Sequence, residues 1–142
     1  MSGPALRQHD SHHAIHQAAF SEAIDLTDAV QHAIDNKLPE ARAVVDLLLE
    51  HWETRVLRHA DEEEQGLYQE IASNDPTMTS TLAGLRRDHD LMRQLWQEIH
   101  DEVESTGVAP GLICRFQHFL WLSHMHSQTE EKWLFSKEEK AT

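Results

Sequence analysis

Residues 59–67 read HADEEEQGL and residues 126–134 read HSQTEEKWL. In each stretch a glutamate follows a histidine by four positions, Glu63 after His59 and Glu130 after His126, and a leucine follows the glutamate by four more. Positions four apart on an α-helix lie one turn above another on the same face. Leu49, Trp52 and Val56 lead into His59 and Leu67 and Ile71 follow Glu63, while Phe119 and Leu122 lead into His126 and Trp133 and Leu134 follow Glu130. Each polar pair therefore interrupts the apolar stripe of an amphipathic helix. Two helices that turn a histidine and a carboxylate toward the core predict an all-α bundle with a metal site inside it.

Working outward, the turn-rich clusters are Asp35-Asn36-Lys37-Leu38-Pro39, Ser73-Asn74-Asp75-Pro76 and residues 105–111, STGVAPG. Between them apolar residues recur at three- and four-residue steps: Phe20, Ile24, Val30 and Ile34, then Val45, Leu48, Leu49, Trp52 and Val56. The series continues with Leu82, Leu85, Met92, Trp96, Ile99 and Val103, then Phe116, Phe119, Leu122, Trp133 and Leu134. The pattern predicts helices at about 8–36, 39–73, 77–104 and 111–136, with 137–142 a frayed charged tail. Short connections make neighbours antiparallel, so the expected architecture is an up-down-up-down four-helix bundle, one domain over 1–142.

The helix heights agree. Glu63 lies about eleven residues before the second turn and His89 about twelve after it, while His89 and His126 lie about sixteen and fifteen from the third; at ~1.5 Å per residue the mismatch is under one turn. Three or more buried histidines with two carboxylates, and no Lys or Arg on their faces, would be costly without a cation. Imidazole with carboxylate suits iron, zinc, copper or nickel, and carboxylates facing each other from separate helices suit bridging of two ions. On the first helix His12 reproduces the spacing around His89, whereas His16 matches the height of His59, so both are candidate ligands.

The remaining histidines are assigned elsewhere. His9 and His13 are expected to cap, flank or face water, His32, His51, His100 and His118 to lie at the surface or outer core, and His124 to serve packing or hydrogen bonding. Glu62, Glu64 and Glu131 read as solvated, with Glu131 the alternative to Glu130 as bridge. The four tryptophans read as core filler, with Trp52, Trp96 or Trp133 available to wall a pocket over the metals.

Composition narrows the function. The chain has 142 residues, 25 acidic against 12 basic, and a formal charge of −13, which repels phosphate backbones and anionic lipid. Neither nucleic acid nor membrane is an expected partner. Apolar runs fall far short of the ~20 residues of a bilayer span, and the N-terminus reads as no secretory leader, so a cytoplasmic location is expected. The lone Cys114 excludes an internal disulfide and multi-cysteine metal sites. No glutamate has a histidine three residues later, which excludes the Glu-x-x-His pattern of ferritin-like bundles.

Taken together, His12 or His16, His59 with Glu63, His89, and His126 with Glu130 or Glu131 resemble the hemerythrin-like, histidine-histidine-glutamate cation-binding family over nearly the whole chain. The resemblance implies two non-haem iron ions joined by an oxo or hydroxo bridge, ligated by His12, His16, His59, Glu63, His89, His126 and Glu130. It implies binding or sensing of a small diatomic ligand, dioxygen or nitric oxide, or of peroxide at an open iron position. The alternatives are a di-iron enzyme of nitric oxide or peroxide reduction or iron–sulfur repair, served by an electron donor, or a structural zinc bundle. Oxygen-binding members carry a second histidine one turn after the one on helix three; Arg93 stands there in this chain.

Overall fold

The structure is a computed structural model that describes residues 9–135, with side chains from residue 11 onward. The expected start at residue 8, the His9 side chain and the tail at 137–142 lie outside the described residues. The first helix, α1, spans His9–Asp35. The second rod is continuous in direction but not in winding: α2 (Ala41–His51), a π-helical segment Trp52–Leu57, α3 (Arg58–Gln65) and α4 (Leu67–Asn74), broken between the last two at Gly66. A short 3₁₀ turn, Pro76–Met78, leads into α5 (Thr79–Thr106), and α6 (Leu112–Glu130) ends in a π-helical turn, Glu131–Phe135. Among the described residues there is no strand, and no helix is long and apolar enough to cross a membrane.

Local chemistry sets the turns. Lys37 takes a left-handed conformation (φ 52°), so that Lys37 N–H donates to Ile34 O and Leu38 N–H to Ala33 O, which closes the end of α1. Asp75 accepts from the Thr77 backbone N–H at 3.1 Å, and Pro76 occupies the first position, where a missing N–H costs nothing. Gly107, at φ 79° and ψ −162°, ends α5. Packing runs round the ring: α1 against α2 and α6, α5 against α6 and the π segment of the second rod. This is the expected up-down-up-down bundle.

The core forms two apolar plugs. One gathers Val30, Val45, Leu48, Trp52, Ile99 and Phe119, and the other Leu67, Tyr68, Leu82, Leu85, Leu134 and Phe135. Along each rod the polar level falls between them: His59 and Glu63 between Trp52 and Leu67, His89 between Leu85 and Met92, His126 and Glu130 between Phe119 and Leu134. Each large side chain so buried stabilises the fold by about 1.5–3 kcal/mol.

Several sequence expectations are corrected. Trp133 is 47 % exposed, whereas Phe135 is 1 % exposed. A π turn bonds i to i+5 and so carries about one residue more than an α turn, which moves the inward pair from Trp133 and Leu134 to Leu134 and Phe135. Trp121, at 65 % exposure, lies on the outer face of α6, and Ile24 is also exposed. His51 is buried at the contact of α1 with α2, with Nε2 2.9 Å from Ala19 O, the outer-core position of the two expected for it.

Candidate metal centre

All seven candidate ligands converge. His12, His16, His59 and Glu63 form one group and Glu63, His89, His126 and Glu130 a second, the ligating atoms of each lying within 4.8 Å of one another. His12, Glu63, His89, His126 and Glu130 are buried, while the side chains of His16 and His59 keep 12 % and 14 % exposure. His12 and His16 pack edge to face at 4.1 Å between ring centroids, so the helix-one alternatives are both at the site. Glu130 lies at the centre. Glu131 sits outside it, 3.0 Å from His13 Nδ1.

The two carboxylates reach in both directions. Glu63 Oε2 lies 2.9 Å from His12 Nε2 and 3.6 Å from His59 Nε2, and its Oε1 is 3.4 Å from His89 Nε2. Glu130 Oε1 lies 2.8 Å from His12 Nε2 and 3.5 Å from His16 Nε2, and its Oε2 is 3.3 Å from His126 Nε2. Each glutamate thus offers one oxygen to the α1–α3 histidines and the other to those of α5 and α6. Among the described residues, neither has an ion pair with a lysine or arginine.

Three further residues complete the arrangement. His89 Nδ1 is 2.9 Å from Glu64 Oε2, His126 Nδ1 is 2.9 Å from Asp88 Oδ2, and the buried Tyr68 hydroxyl donates to Glu130 Oε2. Glu64, expected in solvent, meets His89 instead, while Asp88 and Tyr68 lie outside the expected ligand set. Glu64 and Asp88 each adjoin a candidate ligand in the chain, at Glu63 and His89, but so does Glu62, and adjacency alone does not mark them.

Electrostatics test the fit to a cation. Burial pulls His16 down to about 3, His59 to about 4 and His89 to about 3, so these rings are neutral donors at ordinary pH. Burial also opposes charge on His126, but hydrogen bonds to Asp88 and Glu130 raise it to about 10. Burial and the neighbouring Glu130 raise the Glu63 carboxyl well above its usual range. Burial acts on Glu130 too, yet hydrogen bonds from His12, His126 and Glu63 hold it well below. With Nδ1–H donated to Glu64 and Asp88 and His126 charged, the His126 Nε2–H faces the His89 Nε2 lone pair at 3.0 Å, so a single proton stands where the two rings converge. His59 Nε2 is buried without a hydrogen bond. A cation relieves all of these at once, and the donor set fits one. Seven donors exceed the four of a structural zinc tetrahedron.

The sequence pattern of the hemerythrin HHE cation binding domain matches residues 6–137. The chain belongs to that family. Comparison with curated proteins and with solved structures gave no match. In this HHE domain α1 supplies two histidines to the site, and the place of the second helix-three histidine is held by Arg93. Arg93 pairs outside the candidate ligand set: its guanidinium grips Glu64 and lies 2.7 Å from Asp61 and 2.9 Å from Asp90.

A cavity of about 150 Å³ opens onto the centre and reaches His16, His59, His89 and His126. Phe20, Trp52, Val56 and Met92 form its apolar wall, and Ser123, His124 and Ser127 of α6 its polar one. His124 stacks on Phe20 at 4.7 Å, which fits the packing role expected of it. Of the tryptophans proposed for this wall, Trp52 lines it, while Trp96 donates its ring N–H to Leu49 O at 2.9 Å.

Proposed function

We propose that the chain is a non-haem di-iron protein that binds or senses dioxygen, nitric oxide or peroxide at an open iron position. The observation that carries this reading is the double reach of Glu63 and Glu130, each with one oxygen toward either histidine group. His12, His16 and His59 would hold one ion, His89 and His126 the other, with both carboxylates across the pair. The second ion is then one imidazole short of the first, which leaves the open position on the α5–α6 side. Two ferrous ions there would supply two electrons and a coordination position for the incoming ligand.

The chain's own residues do the rest. Trp52, Phe20, Val56 and Met92 keep bulk water from the centre while leaving a path for a small neutral molecule. Glu64 and Asp88 hold the His89 and His126 rings with Nε2 turned inward. Tyr68 holds one oxygen of Glu130 in place.

The polar wall of the cavity favours a second reading, reduction of peroxide or nitric oxide with electrons from an external donor. Ser123, His124 and Ser127 can donate hydrogen bonds to a ligand larger than a diatomic, and at about 30 Å³ per water the cavity has room for one.

Elemental analysis of anaerobically purified protein, with absorption spectra before and after air, tests both. Near two irons per chain and a visible charge-transfer band that reverses under vacuum are expected for a carrier or sensor; rapid turnover with a reductant supports the enzyme. Zinc alone, or no metal in a folded protein, would sink the di-iron reading.

A further inference from the structure

The five imidazoles differ in what stands behind them. His89 and His126 each point Nδ1 at a carboxylate 2.9 Å away, Glu64 and Asp88, and Glu64 is itself clamped by Arg93. The Nδ1 atoms of His12 and His16 are buried and make no hydrogen bond among the described residues; the nearest carboxylate to that of His16, Glu131, is 3.5 Å away. A carboxylate behind a ligating imidazole polarises its N–H, strengthens the opposite nitrogen as a donor and fixes the ring's rotation. Removing such a partner typically costs about 10–100-fold in metal affinity. Two of them act on one side of this centre.

His16, His59, His89 and His126 all line the cavity, with side-chain exposures of 12 % and 14 % for the first two against 1 % and 5 % for the others, while His12 is fully enclosed. A ring held by a carboxylate is already oriented for an ion. A ring without one must be ordered by the ion itself, and the ordering subtracts from affinity.

We propose that the centre loads in order: a first divalent ion enters the His89–His126 position with Glu63 and Glu130, and a second, exchangeable ion enters the His12–His16–His59 position. Asp88, Glu64 and Arg93 are then positioning residues for the first ion alone. This rests on the dinuclear reading above, and the two can fail separately.

The test is anaerobic titration of the metal-free full chain with Co(II), followed by visible ligand-field absorption, and with Zn(II), followed by calorimetry. Wild type is expected to bind in two steps of one ion each. Asp88→Asn and Glu64→Gln should each weaken the tighter step by about 10–100-fold, and His16→Gln should abolish the weaker step while leaving the tighter one. Circular dichroism of each variant separates lost binding from lost folding, and the two acid variants sit on different helices, so one reports if the other unfolds. Both ions arriving in a single step indifferent to Asp88→Asn and Glu64→Gln, or loss of the tighter step in His16→Gln, overturns the order. One ion per chain, lost in Asp88→Asn and kept in His16→Gln, upholds the first position and removes the dinuclear reading. No ion bound overturns both.

Discussion

Tyr68 gives its hydroxyl proton to Glu130 Oε2, and its ring lies nearly parallel to that of His89, 3° apart in plane at 5.6 Å. Burial and the adjacent carboxylates raise the phenol far above its ordinary range, so it stays a donor and does not become an anionic ligand. Tyr68→Phe keeps the packing and removes the donor from a buried carboxylate oxygen. The expected loss is about 1–2 kcal/mol of stability in the metal-free protein, by denaturant midpoint, with metal stoichiometry intact. An unchanged midpoint would mean that His126, 3.3 Å from the same oxygen, satisfies it alone.

At the scale of the helices, two chain reversals rest on left-handed backbone, and they predict opposite responses. Lys37 adopts φ 52° with a Cβ that disfavours it, so Lys37→Gly is expected to stabilise by about 0.5–1 kcal/mol, the left-handed cost less the extra entropy of glycine. Gly107 lies at φ 79° and ψ −162°, a region open to glycine almost alone, so Gly107→Ala is expected to destabilise by about 1–3 kcal/mol. No atom lies within 4 Å of the added methyl, so that loss would be backbone strain and not a clash. Thermal midpoints of both variants check the pair; a Gly107→Ala midpoint equal to wild type would remove the strain argument. The same scale shows what could be read in advance. Four amphipathic stretches and the common height of His59, Glu63, His89, His126 and Glu130 follow from a 3.6-residue period and from turn residues, both visible in the chain. The π segments are not, because an extra residue per turn is set by packing across the bundle; that is why Trp133 and Phe135 exchanged places. Glu64 and Asp88 escaped for a related reason: each lies about 100° round its helix from a ligand, where only the position of the next helix decides between water and a histidine.

For the molecule as a whole, the centre makes folding depend on pH and metal together. In the metal-free protein His16, His59 and His89 titrate at about 3, 4 and 3. Unfolded, each titrates near 6.5. Below that pH the unfolded chain takes up protons that the folded chain refuses, so stability falls as pH drops from about 6.5 toward 4. At about 1.4 kcal/mol per unit and group, these three histidines lose on the order of 4–6 kcal/mol by pH 5, offset in part by Glu63, whose raised carboxyl holds a proton that the unfolded chain has released. His126 acts in the opposite sense: raised to about 10, it contributes fully below its unfolded value and loses that contribution as pH climbs from about 6.5 through 10. The metal-free protein should therefore be most stable near pH 6.5 and decline on both sides, as denaturation series from pH 5 to 9 would show. Metal changes the alkaline side. To ligate, His126 must release its proton and Glu63, held well above its usual range, must ionise. Binding at pH 7 should then expel one to two protons per chain, measured by calorimetry in two buffers of different ionisation enthalpy. The stabilisation given by metal should also grow from pH 6.5 to 9, where the metal-free protein weakens. Zero proton release at pH 7, or a metal-induced shift in thermal midpoint that shrinks over that range, would show that metal binding draws no proton from His126 or Glu63 and would remove this linkage.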